Sequence, residues 1–140
     1  MTTLASALIS AGFPSPAEPD AADQLDLNQH LVTHPIATFF VRVFGNSMLG
    51  AGIHDGDLLI VDRALMPADN CVVVAILNGE FTVKRLKKTR EQIILLPENK
   101  SAKPIPILPD DDFEIWGVAT YVIHALSSQQ CLQRSRLCPS

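Results

Sequence analysis

From Thr38 onward, the apolar residues fall into short runs, each closed by glycine, proline or charge. That pattern predicts strands rather than helices. Thr38 to Phe44 is aromatic and β-branched and stops at Gly45. Asp55-Gly56-Asp57 signals a turn, and Leu58 to Asp62 follows as a short buried strand. Cys71 to Leu77 is a nearly continuous β-branched run, and Asn78-Gly79 predicts a tight hairpin into Phe81 to Leu86. Ile93 to Leu96 and Ile105 to Leu108 are further strands, with Pro97-Glu98-Asn99 between them. The last run, Phe113 to Ala125, contains Gly117, which marks a bulge or a tight approach. Together these predict a mostly β domain, a compact, strongly bent antiparallel fold.

The pattern divides the chain into an arm at 1–38, a β-rich domain at 39–126 and a polar, aperiodic tail at 127–140, expected to be disordered. In the arm, Pro14, Pro16 and Pro19 follow Gly12-Phe13 and impose extended backbone. Asp23 to Val32 predicts a short helix, with Leu27, Leu31 and Val32 at helical spacing and His34-Pro35 ending it. So short and interrupted a segment has no room for a helix-turn-helix DNA-binding domain.

At 140 residues, 47% of them hydrophobic, the chain has enough material for one core. A net charge of −4 gives no electrostatic reason for direct, sequence-specific DNA binding. The basic stretch Lys84 to Arg90 reads as a strand end and hairpin turn. Cys71, Cys131 and Cys138 have no regular spacing, which argues for a reducing compartment and against a disulfide framework or a zinc site. His30, His34, His54 and His124 are scattered and read as surface or loop residues, so no metal or cofactor is expected. The N-terminus lacks the basic residues of a secretory leader and no apolar run would span a bilayer, so a cytoplasmic protein is expected.

Two positions carry candidate chemistry. Gly45-Asn46-Ser47-Met48 places a small hydroxyl in a tight turn after a strand, where backbone amides can point into a cleft as an oxyanion hole. Lys84 lies within a strand whose two faces both carry apolar residues, sharing its own face with Thr82 and Leu86. Desolvation there would depress its pKa toward that of a usable base. A serine and a lysine that meet form a catalytic pair in which a neutral amine replaces histidine. On its own, however, Ser47 is an ordinary turn residue and Lys84 an ordinary edge-strand lysine reaching water.

The combination of Gly45-Asn46-Ser47-Met48, Gly52 to Asp62 and Asn78 to Lys84 resembles the S24 family of self-cleaving peptidases. Gly12 to Ala17 and Leu25 to Asn28 resemble its UmuD branch rather than full-length LexA repressors. The resemblance implies Ser47 as nucleophile, Lys84 as general base, the Ser47 and Met48 N–H groups as oxyanion hole, and Ala11-Gly12 as the scissile bond. It differs from common UmuD-like proteins in a shorter arm and in having Ala11 where a cysteine is usual. The resemblance further implies a homodimer, cleavage stimulated by a RecA filament on single-stranded DNA, and a UmuC-like Y-family polymerase as partner in SOS translesion synthesis. Two other readings are a signal-peptidase-like protease using the same residue pair and a LexA- or phage-repressor-like dimerisation module.

Overall fold

The structure, a computed structural model of the chain, describes residues 2–4 and 23–127. Strand β1 (Thr2–Leu4) pairs antiparallel with β2 (Asp23–Leu25). Helix α1 (Leu27–Leu31) follows, capped by Asp26, whose carboxylate accepts a hydrogen bond from the Asn28 amide at 3.0 Å. The expected helix from Asp23 is thus shortened. Asp26 is a strong N-cap and starts the helix after itself, leaving Asp23–Leu25 to a strand.

The main sheet contains β3 (Thr38–Arg42), β4 (Leu58–Asp62), β5 (Val72–Leu77), β6 (Glu80–Lys88), β7 (Ile93–Leu96), β8 (Ile105–Pro106) and β9 (Phe113–Ile123). Its order is β3-β4-β9-β5-β6-β7-β8, with every pairing antiparallel. The fold is therefore mostly β, as expected. Asn78 and Gly79 adopt φ of 50° and 86° and close the β5–β6 hairpin. β3 stops at Arg42 because Val43 exchanges hydrogen bonds with Asp57 and Gly56 instead of continuing the ladder.

The long strand β9 lies inside the sheet, between β4 and β5, and bends. Its register skips once against β5, beside Gly117, and once against β4. Each extra residue sharpens the local twist. A Cβ on Gly117 would lie 2.5 Å from Val61 Cγ1, so this glycine marks both a bulge and a tight approach.

Successive residues of β5 face opposite sides, so Val73 and Val74 belong to different apolar cores. One core joins Val73, Ala75, Leu86 and Leu95. The other joins Leu59, Val61 and Val74 to Val43, Met48 and Ile53, which come from the connection between β3 and β4. Burying Met48 and Ile53 contributes about 1.5–3 kcal/mol each and fastens that connection to the sheet. Among the described residues, no helix is long and apolar enough to cross a membrane.

Candidate active site

The fastened connection carries Ser47. Gly45 takes φ of 91°, a conformation that glycine adopts without strain, and its amide donates to Asp55 Oδ1 at 2.7 Å. Met48, 2% exposed, anchors the other side of Ser47, and its carbonyl accepts from the Ile53 amide at 3.2 Å. The turn bearing the hydroxyl is thus held between a left-handed glycine and a buried methionine.

A second clamp comes from the segment after β7. The Glu98 amide donates to the Ser47 carbonyl at 2.7 Å, and the Gly50 amide donates back to the Glu98 carbonyl at 2.6 Å. Asn99 Nδ2 donates to the Asn46 carbonyl at 2.8 Å. The Glu98 carboxylate receives Arg85 Nε at 2.5 Å, which ties the clamp to the residue following Lys84. In the sequence Pro97-Glu98-Asn99 reads as a plain connection between two strands. No local signal reveals that it grips residues 46 and 47, because the contact spans some fifty positions of chain.

Lys84 projects from β6, opposite Val73 of β5. Its Nζ lies 3.1 Å from Ser47 Oγ, 2.7 Å from Thr82 Oγ1 and 3.1 Å from the Val83 carbonyl. Thr82 and Lys84 share a strand face, as alternation requires, which is why the hydroxyl meets the amine. The side chain is half-buried, and loss of hydration lowers its pKa from the ordinary lysine value. No carboxylate among the described residues pairs with Lys84 to oppose that shift.

The hydrogen-bond inventory suits both protonation states. An ammonium has three N–H donors for three acceptors: Thr82, Val83 and Ser47. A neutral amine keeps two donors and gains a lone pair, which can accept the Ser47 hydroxyl proton.

Both side chains open into a cleft of ≈ 480 Å³, walled by Val43, Phe44, Phe81, Val83 and Trp116. Phe81 packs edge-on against Trp116 with centroids 5.9 Å apart, and Phe39 lies 5.2 Å from the same ring. These walls limit water around Lys84 and leave room for a few small residues of extended peptide. The structure therefore brings Ser47 and Lys84 together. Ala11 and Gly12, and the arm from Gly12 to Pro19, lie outside the described residues, as does 128–140 of the tail.

Residues 4–120 match the Peptidase S24-like family, and the chain belongs to that family. It is in general terms a serine protease of the self-cleaving kind. Protein MucA of Salmonella typhimurium is 49% identical over 114 residues, covering 81% of this chain and 77% of that protein. Protein SamA of Salmonella typhimurium is 46% identical over 118 residues, covering 84% and 81%. LexA repressor 2 of Pseudomonas syringae pv. tomato is 41% identical over 110 residues, covering 79% of this chain and 54% of the repressor.

Proposed function

We propose that this chain is a UmuD-like subunit that cuts its own arm between Ala11 and Gly12, with Ser47 as nucleophile and Lys84 as general base. The observation carrying the reading is the 3.1 Å approach of Lys84 Nζ to Ser47 Oγ in a largely apolar cleft. Neutral Lys84 takes the hydroxyl proton as Ser47 Oγ attacks the Ala11 carbonyl carbon. The developing oxyanion is held by the Ser47 and Met48 N–H groups, neither of which donates elsewhere within the described residues. The Lys84 ammonium then protonates the departing Gly12 amine, and water, deprotonated by Lys84, releases residues 1–11 from the serine ester. Tethering supplies the scissile bond at high effective concentration, so the cleft needs little affinity of its own.

The family resemblance supplies the setting: a cytoplasmic homodimer, cut when a RecA filament stimulates it, then working with a UmuC-like Y-family polymerase in SOS translesion synthesis. Support for the dimer comes from the second face of the β3-β4-β9 sheet. Phe40 and Tyr121 flank the buried Ile60 in one cross-strand row and are themselves 56% and 44% exposed. Ile123, 46% exposed, extends that apolar surface.

The test is mass spectrometry of the full chain incubated from pH 7 to about 10, with and without a RecA filament. The expected product begins at Gly12. Its rate of appearance rises with pH as Lys84 loses its proton, at lower pH than for an ordinary lysine because burial depresses the pKa. Ser47→Ala and Lys84→Ala abolish the cut. Survival of the cut in either variant refutes the residue roles. A protein that dimerises but never cuts itself, even with the filament, is instead a repressor-type dimerisation module.

A further inference from the structure

Away from the cleft, two of the four histidines, far apart in sequence, meet around a buried carboxylate. His54 and Asp57 lie on the turn before β4, and His124 directly follows β9. One ligand-capable atom from each lies within 4.8 Å of the others. Asp57 is 3% exposed; its Oδ1 is 2.5 Å from His124 Nδ1, and its Oδ2 accepts from the His54 amide at 2.7 Å. His54 Nδ1 lies 3.6 Å from the same Oδ2. The two half-exposed imidazole rings face each other, with centroids 4.5 Å apart and planes 33° from parallel.

We propose that His54, Asp57 and His124 bind a divalent transition-metal ion of the Zn(II) class, which fastens the turn before β4 to the end of β9. Two imidazoles and one carboxylate are the donor set that such borderline ions accept, with water completing the shell on the exposed side. Zinc bonds of about 2.0–2.1 Å place tetrahedral ligand atoms about 3.3 Å apart. Rotating the two half-exposed imidazoles opens the 2.5 Å His124–Asp57 contact and closes the longer separations, of up to 4.8 Å, toward that value, while Asp57 stays fixed by the His54 amide. That amide bond orients the carboxylate as an outer-shell partner does. His124 coordinates as a neutral imidazole, with its remaining N–H on the other ring nitrogen facing water. A divalent ion also supplies positive charge to a buried carboxylate whose ion-pair partners among the described residues are these two histidines alone.

The site adjoins the turn that carries Ser47. Asp55, between His54 and Asp57, accepts the Gly45 amide, and Ile53 bonds to Met48, so a bound ion restrains both flanks of Ser47.

The experiment titrates the metal-free full chain carrying Ser47→Ala, which prevents self-cleavage, with Zn(II) by calorimetry and with Co(II) by visible absorption. One equivalent is expected to bind, with d–d bands but no thiolate charge-transfer band, and with a raised melting temperature. His54→Ala and His124→Ala each weaken binding by more than the roughly 10- to 100-fold typical of losing an outer-shell partner. His30→Ala, and the combined replacement of Cys71, Cys131 and Cys138 by serine, leave binding intact. If an alanine variant fails to fold by circular dichroism, His54→Gln at the more exposed ligand gives the same readout. Absence of binding overturns the proposal, as does binding that survives both histidine replacements or vanishes with the cysteines.

Discussion

Gly50→Ala probes the clamp on the Ser47 turn most directly. A Cβ at this position would lie 2.8 Å from the Glu98 carbonyl oxygen and 3.3 Å from Glu98 Cβ. The nearer atom is backbone and is already bonded to the Gly50 amide at 2.6 Å, so the two segments must separate. Forcing them apart costs about 1–3 kcal/mol, and losing the hydrogen bond adds about 0.5–1.5 kcal/mol. Alanine also restricts the unfolded chain, which returns about 0.4–1 kcal/mol. The expected net destabilisation is about 2 kcal/mol, read by urea unfolding in a Ser47→Ala background that keeps the chain uncut. The Glu98 amide also holds the Ser47 carbonyl, so the same movement draws the hydroxyl away from Lys84. A displacement of about 1 Å in a reacting group is enough to slow a reaction about 100-fold, so self-cleavage should fall well beyond the loss of stability. Stability within about 0.5 kcal/mol of the parent, together with an unchanged cleavage rate, would show that the clamp does not position the serine.

Gly117→Ala should destabilise by about 1–3 kcal/mol, because its Cβ would lie 2.5 Å from Val61 Cγ1 in a filled core; thermal unfolding measures it, and a neutral result contradicts the packing of β9 on β4. Thr82→Val removes a hydroxyl 2.7 Å from Lys84 Nζ and should slow self-cleavage about 10- to 100-fold, with Thr82→Ser restoring most of the rate. Asp62 is buried, which raises its pKa, but bonds from the His34 imidazole and the Ala64 amide outweigh burial and leave it lowered. Its stabilisation is therefore complete above the unfolded carboxylate pKa and is lost as pH falls through the lower folded value. His34→Ala should cost about 1–3 kcal/mol at pH 7, with the gap to the parent narrowing in acid; a gap that stays constant down to about pH 3 excludes this pairing as its source.

Much of the fold was legible from neighbouring residues. The β-branched runs located β4 and β7 to the residue, Asn78-Gly79 marked the hairpin, and Gly117 marked the bend of β9. These signals are local: strand alternation, the left-handed turn and the missing Cβ each act within a few positions. Local pattern also placed Thr82 beside Lys84 on one face of β6. It misjudged the start of α1: Leu27 and Leu31, at helical spacing, lie in the helix, but the Asp26 cap begins it at Leu27 rather than at Asp23.

Sequence by itself thus determined which segments become strands, where they turn, and which serine and lysine are worth pairing. Only the tertiary structure decided that Ser47 and Lys84 stand 3.1 Å apart, that Glu98 and Asn99 clamp the serine turn, and that His54 and His124 close on Asp57. Those contacts depend on the strand order and on the place of β9 between β4 and β5, both set by how two apolar cores are buried at once. Burial favours any arrangement that removes apolar surface from water and carries no label for the polar partners it brings together. The pattern along the chain therefore predicts the strands, and the packing selects the meetings between them.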